Sequence, residues 1–216
     1  LLNNEEVLCL QTWMYHADFL GGIIGKFVRC KVFWNLRHSN FSLRDDKLLT
    51  FVIMCINALL SHFIPKKIIC CAHASKATHA KMGYSSRKMI VIENGIDIEK
   101  YCPSQENRIK FRKYNNISMK GFTIGFVARF SAQKDFETFF SAFSNFQKDV
   151  PDSFCVMAGA GGEPSNPEYS ALSEKYQITD NILALGKLDM VHQMMQSVDL
   201  LVLSSSHGEG YPNVLI

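Results

Sequence analysis

The sequence predicts an α/β fold built on parallel sheets and divided between two domains. Three observations carry that expectation. Strand-length apolar runs alternate with helical patterns of roughly 10–15 residues, the signature of βαβ units. Polar clusters follow several of the strands directly, where open parallel sheets bind ligands. Charge also divides the chain: residues 1–118 carry 17 Lys and Arg against 9 Asp and Glu, whereas residues 119–216 carry 6 against 11. A basic half joined to an acidic half suggests two domains with different partners. The 216 residues, 47% hydrophobic and 20% charged, are globular material and not a disordered chain.

In the first half, Glu6–Trp13 reads as a short buried strand, followed by the polar cluster Tyr15-His16-Ala17-Asp18. Gly21-Gly22 then leads into a helical pattern through Phe27. Lys31–Leu36 is a second strand, ending in Arg37-His38-Ser39-Asn40. Leu48–Leu60, continuing to Ile64, is the longest apolar run, but Thr50, Asn57, Ser61 and His62 interrupt it. It is too short and mixed for a membrane span and is expected as a buried amphipathic helix. Lys67–Cys71 is a third strand, and Ser75 is placed to cap a helix through Lys81. Met89–Glu93 is a fourth strand, and Asn94-Gly95 reads as a tight turn. Residues 98–120 are polar, with a short helix at Ser104–Tyr114, and are expected to link the domains.

The second half has cleaner punctuation. Strands are expected at Phe122–Ala128, Ser153–Ala158, Ile182–Leu185 and Leu200–Ser204. Helices are expected at Phe136–Phe146, near Pro167–Tyr176, and at Asp189–Ser197.

The most informative constellation is Gly125-Phe126-Val127-Ala128-Arg129-Phe130 followed by Gln133-Lys134-Asp135. An Arg leaves the carboxyl end of a strand, and a Lys sits five residues on, where the next helix begins. Free N–H groups and the dipole make a helix N-terminus favourable for phosphate. A guanidinium fork and an ammonium beside it suit a diphosphate. A second constellation is Ser204–Asn213, in which Glu209 is flanked by Gly208 and Gly210 and is placed to accept sugar hydroxyls. His16 with Asp18, and Arg37 with His38, follow strands in the basic half and are candidates on the acceptor side.

Several classes are disfavoured. The loop Gly159-Ala160-Gly161-Gly162 fails the dinucleotide spacing, because Pro164 stands where the third glycine is needed. The seven cysteines are odd in number and form no CxxC pair, which argues against a disulfide framework and a structural zinc site and fits a cytoplasmic location. No histidine spacing suggests a metal, so none is expected. The basic residues are dispersed and accompany no nucleic-acid motif, so nucleic acid is not expected as a partner. The chain opens on Leu1-Leu2 and closes on the apolar Val214-Leu215-Ile216, and is expected to be an internal segment of a longer protein.

Taken in order, these pieces resemble the glycosyltransferase family 4 group of retaining sugar transferases. The residues are Val91-Ile92-Glu93-Asn94-Gly95-Ile96-Asp97, Ile124–Phe130 with Lys134-Asp135, Met157–Gly161, Leu185-Gly186, Asp199–Ser204 and Glu209–Asn213. The resemblance implies a GT-B fold of two Rossmann-like domains with parallel sheets, both incomplete in this segment. Residues 1–97 would be part of an acceptor-binding domain and 121–216 part of a donor-binding domain, with 98–120 between them. It also implies that Arg129 and Lys134 hold the donor diphosphate and that Glu209 contacts the donor sugar. His38 would lie near that sugar, and Gly125, Gly159, Gly161, Gly210 and Asn213 would belong to donor-site loops. A second Glu of the family's motif would fall immediately after Ile216. The resemblance further implies a nucleotide-sugar donor, no cofactor or metal, and a saccharide or lipid-linked acceptor in surface polysaccharide or glycolipid synthesis. The basic first half suggests peripheral contact at the inner face of the membrane. The alternatives are a non-catalytic nucleotide-sugar-binding module or inactive fragment, a GT-B sugar-nucleotide epimerase, and a membrane protein resting on Leu48–Ile64 alone.

Overall fold

A computed structural model describes residues 8–39 and 48–216. Glu6, Val7 and Asn40, which the sequence assigns to the first strand and to the polar cluster after the second, lie outside them. The chain forms two compact units, residues 1–95 with 208–212, and residues 96–207 with 213–216.

The first unit contains β1 (Cys9–Trp13), α1 (Tyr15–Phe27), β2 (Lys31–Leu36), α2 (Leu48–Leu60), β3 (Lys67–Cys70), α3 (His73–Lys81) and β4 (Met89–Val91). Its sheet is parallel throughout, in the order β1-β2-β3-β4. Val32, Trp34 and Leu36 alternate along β2 and bury one face against Tyr15, Met54, Ala58 and Ile68.

Four expectations change in this unit. Helix α1 begins at Tyr15, so the polar cluster is its first turn and Gly21-Gly22 lies within it. Gly22 belongs there because a Cβ would meet the Trp34 ring at 3.1 Å, so its absence lets the helix settle on β2. Ser75 is not a cap: α3 begins at His73, and the buried Ser75 hydroxyl donates to the His38 carbonyl at 2.8 Å. Asn94-Gly95 forms no tight turn; residues 92–97 run on irregularly after β4, and Arg37 donates to the Asn94 side-chain oxygen. Finally, α2 buries only part of its surface, and Val52, Ile56 and Leu59 face solvent.

The second unit contains α4 (Gln105–Tyr114), β5 (Thr123–Val127), α5 (Phe136–Asp149), β6 (Phe154–Ala158), α6 (Pro167–Lys175), β7 (Ile182–Ala184), α7 (Val191–Ser197) and β8 (Leu200–Val202). Its parallel sheet has the order β7-β6-β5-β8. Phenylalanines 136, 139, 140 and 143 recur at helical spacing on α5 and pack on Phe126 of β5. Met194 of α7 joins Val156 and Ala158 in a separate cluster. Residues 98–120, expected as a linker, are folded into this unit. Helix α4 packs against α7. The fully buried Arg112 joins Ser197, Ser118, Gly121 and Asp199. Conversely, residues 208–212 cluster with the first unit and not with the second.

Candidate active site

The order β7-β6-β5-β8 reverses direction at β5, with β6 on one side and β8 on the other. Ligands of open α/β sheets bind outside the carboxyl ends of the strands at such a reversal. Here those ends are the loop after β5, residues 128–135, and the loop after β8, residues 203–207. The two loops are sewn together. Ser204 Oγ donates to the carbonyls of Lys134 and Asp135 at 2.7 and 2.9 Å. The Ser206 amide donates to the Gln133 carbonyl at 3.0 Å, and Gln133 Nε2 donates to the His207 carbonyl at 3.1 Å. Gln133 and the Ser204–His207 run lie in the two constellations that the sequence singles out, but the sequence assigns them no role in tying the two loops together.

Arg129 leaves this edge exposed, and no described residue holds its guanidinium. Lys134 is half-buried and closes a short 3-10 turn. The helix that follows differs from expectation. Asp135 adopts left-handed geometry, caps α5, and accepts from the Thr138 amide and hydroxyl at 3.1 and 2.8 Å. The positive end of α5 is therefore met by the protein's own carboxylate. The cations at this edge are Arg129 and Lys134.

The glycines divide by role. Gly159, at φ 149°, lies against the end of β5, where a Cβ would overlap the Ala128 carbonyl and come within 2.8 Å of the Arg129 nitrogen. Hydrogen bonds fix it in place: the Phe130 amide donates to the Ala160 carbonyl, and the Gly159 amide to the Gly186 carbonyl. Gly161, at φ 79°, sits beside Phe130. Gly125, expected in a donor-site loop, is instead buried in the middle of β5. A Cβ there would press on Leu201 and Val198 at 3.0 Å, so its role is packing against β8.

The other group of candidates lies in the first unit. Ser39 donates to the Glu209 carbonyl, and Gly210 rests on the strand end after β2. A Cβ at Gly210 would meet the Arg37 carbonyl at 2.8 Å and Cys71 Sγ at 2.9 Å. Tyr211 donates to Glu93 at 3.4 Å. This loop therefore holds Glu209 beside the Arg37-His38-Ser39 segment. Burial pushes the Cys71 thiol up against the opposing pull of Arg37. His16 is exposed in the first turn of α1. Asn213 is exposed and belongs to the second unit.

Asp18 is not available to an acceptor. It is fully buried, the Thr12 hydroxyl donates to its Oδ1, and among the described residues no hydrogen-bond partner meets its Oδ2. Burial outweighs those hydrogen bonds and raises its carboxyl to about 7. Helix α1 starts earlier than the sequence suggests, which turns Asp18 inward instead of leaving it on a loop.

The family model described as Glycosyl transferases group 1 matches residues 107–216. The chain belongs to this family. A relative named as a glycosyltransferase, EpsF of Bacillus subtilis (strain 168), is 26% identical over 149 residues, covering 68% of this chain and 38% of EpsF. HepE of Anabaena, solved with UDP and glucose, superposes with a TM-score of 0.81 at 19% identity, over 94% of this chain and 55% of HepE. A second HepE structure, with UDP-glucose, gives 0.77 at 20% identity, over 90% and 53%. The lipopolysaccharide outer core galactosyltransferase WaaB gives 0.63 at 16%, over 96% and 52%. The chain thus spans little more than a third of EpsF and about half of the solved relatives. The fold of this group 1 member is α/β with parallel sheets, shared with GT-B glycosyltransferases.

Proposed function

We propose that the chain serves a retaining glycosyltransferase of family 4, which moves a sugar from a nucleoside-diphosphate sugar to a saccharide or lipid-linked acceptor. Surface polysaccharide or glycolipid synthesis at the cytoplasmic face of the membrane is the setting in this reading. The observation that carries it is the placement of Arg129 and Lys134 on the two-loop edge where the second sheet reverses. The UDP and UDP-glucose bound by HepE support a nucleotide-sugar donor of this kind.

As the sugar leaves, negative charge grows on the diphosphate while the anomeric carbon becomes oxocarbenium-like. Arg129 and Lys134 neutralise the phosphate charge, and no metal enters the reading. Glu209 contacts the donor sugar and His38 lies near it. Gly159 and Gly161 keep the loop after β6 close to Arg129, and Gly210 seats the loop that carries Glu209.

The test is sugar transfer from UDP-, GDP- and ADP-sugars by the full-length enzyme, with the anomeric configuration of the product read by NMR. Arg129→Ala and Lys134→Ala are each expected to lower turnover about a hundredfold or more, the usual cost of losing a preorganised donor at a developing charge. Their melting temperatures should stay unchanged. Near-normal turnover in both variants refutes the assignment. Nucleotide binding without transfer leaves a non-catalytic binding module.

A further inference from the structure

Helix α3 runs His73-Ala74-Ser75-Lys76-Ala77-Thr78-His79-Ala80-Lys81 and carries no apolar side chain larger than alanine. Its inward face is polar instead. Ser75 and His79 stand about one turn apart on that face, and both are buried. Burying such groups is costly unless each is hydrogen-bonded, so their partners decide how the helix sits. The Ser75 hydroxyl is not spent on its own helix, whose N-cap is Ala72. It donates to the main-chain carbonyl of His38 at 2.8 Å.

His79 holds the other end of this arrangement. Its Nδ1 lies 2.7 Å from the Ser75 carbonyl and its Nε2 lies 3.0 Å from the Tyr15 hydroxyl. A carbonyl only accepts, so Nδ1 carries the proton and Nε2 accepts from Tyr15. Burial lowers the His79 imidazole below its usual range against the pull of the Ser75 hydrogen bond, and nearby His38 lowers it further. The neutral ring therefore keeps one tautomer. Tyr84 packs edge-on against it with centroids 5.2 Å apart, and the Tyr84 amide donates to the His79 carbonyl at 3.1 Å. A buried chain thus runs from Tyr15 of α1 through His79 and Ser75 of α3 to His38 after β2.

We propose that Ser75 is a positioning residue for sugar transfer: it fixes the peptide of His38, and with it the direction of the imidazole, while His79 and Tyr15 fix Ser75. The inference rests on the sugar-transfer reading, in which His38 lies near the donor sugar. The residues on either side of His38 have ties of their own. Arg37 donates to the Asn94 side-chain oxygen, and Ser39 donates to the Glu209 carbonyl. Ser75 supplies the tie at His38 itself. Anchoring a helix calls only for apolar area, which is non-directional. A hydrogen bond to one chosen carbonyl adds little area but sets an orientation. That is what a half-buried imidazole at a strand end requires.

The experiment is steady-state sugar transfer by the full-length enzyme, with whichever of UDP-, GDP- and ADP-sugars the parent accepts. The parent is compared with Ser75→Ala, His38→Ala and the double variant. Ser75→Ala places a strong helix former in α3, so the variant is expected to fold. Its kcat should fall about tenfold or more, because a displacement of about 1 Å can cost about a hundredfold, while KM for the donor stays at the parent value. On the His38→Ala background the same change should lower kcat no further, since the group that Ser75 positions is gone. Parent-like kcat in Ser75→Ala, with or without a lower melting temperature, overturns the proposal and leaves Ser75 as an anchor of α3. So does a change confined to KM, a loss repeated in full on the His38→Ala background, or a His38→Ala enzyme as fast as the parent. In each of these cases the sugar-transfer reading survives. A parent that transfers sugar from none of the three donors removes that reading, and the role of Ser75 falls with it.

Discussion

Gly159 lies so close under Ala128 that a Cβ on the glycine would overlap the Ala128 carbonyl. The ends of β5 and β6 meet there without side chains between them, and Arg129 is the next residue out. Gly159→Ala therefore has to push the β5 end away from the β6 loop, in a backbone conformation that L-residues rarely adopt. A displacement of about 1 Å at a positioning site can cost on the order of a hundredfold in rate. The full-length enzyme carrying Gly159→Ala is expected to lose turnover to the extent that Arg129→Ala does. The double variant should lose little more than either single one, since both changes remove the same contact. Additive losses would show that Gly159 acts independently of Arg129.

Gly210 does the corresponding work for Glu209 in the first unit. Its missing Cβ leaves room for the Arg37 carbonyl and Cys71 Sγ, and Ser39 fastens the preceding carbonyl. Gly210→Ala should lift this loop and lower turnover by about tenfold or more. Ser39→Ala, which removes one hydrogen bond without a clash, should have a smaller effect in the same direction. Steady-state kinetics on the two variants checks the ranking. A larger loss in Ser39→Ala than in Gly210→Ala would contradict it.

Arg112 gives a prediction about stability. It is fully buried, with Nε on the Ser197 carbonyl, Nη1 on the Ser118 and Gly121 carbonyls, and Nη2 on Asp199 at 2.8 Å. Asp199 also accepts from the Thr123 amide at 2.8 Å and pairs with Arg108 at 2.5 Å. Burial pulls the Asp199 carboxyl upward, but the Thr123 hydrogen bond and the two arginines outweigh it and leave it lowered. Arg112→Ala takes the guanidinium from the Ser118 carbonyl and one of several partners from the Ser197 and Gly121 carbonyls and from Asp199 Oδ2, at a cost on the order of 3 kcal/mol. Arg108→Ala, at a more accessible ion pair, should cost about 1 kcal/mol or less. Urea unfolding of the two variants tests the difference. Equal costs would mean that the buried guanidinium is not what holds the segment down.

These cases show what the sequence could and could not reveal. β2 was legible at both ends, because Val32, Trp34 and Leu36 alternate and a polar cluster stops them. The Phe136–Phe143 periodicity announced α5. The placement of Arg129 and Lys134 between β5 and α5 was legible, because a strand end and a helix start bracket them in the sequence. The pairing of Arg112 with Asp199 spans 87 positions, and no local pattern links them. The segment 98–120 therefore read as a linker on its polarity alone. Gly125 read as a loop residue because a glycine near a strand end looks the same whether it faces a ligand or a neighbouring strand. α1 was misread at its start for a related reason: beside Tyr15 its inward face carries Asp18 and glycines, and its outward face carries large apolar residues. A pattern turned inside out defeats the rule that polar residues mark the surface.

Asp18 offers a pH dependence whose sign is fixed by its burial. Its native carboxyl titrates near 7, raised by burial against the opposing hydrogen bonds from Thr12 and the Asn35 backbone, whereas the unfolded chain releases that proton near the ordinary 3.8. Between those values the native state holds a proton that the unfolded state has lost. The stability that this proton contributes is complete below about 4 and falls as pH rises, until the loss levels off above about 7. Asp18→Asn keeps an oxygen for the Thr12 hydroxyl and never ionises. Relative to the parent, the variant should show little difference near pH 4 and a growing advantage toward neutral pH. The advantage should reach a plateau on the order of 2–4 kcal/mol. Taking the difference between the two proteins cancels groups that titrate identically in both. Thermal or urea unfolding across that pH range checks it. Parallel stability curves for the two proteins would mean that Asp18 is ionised in the native state and that its buried Oδ2 has found a partner.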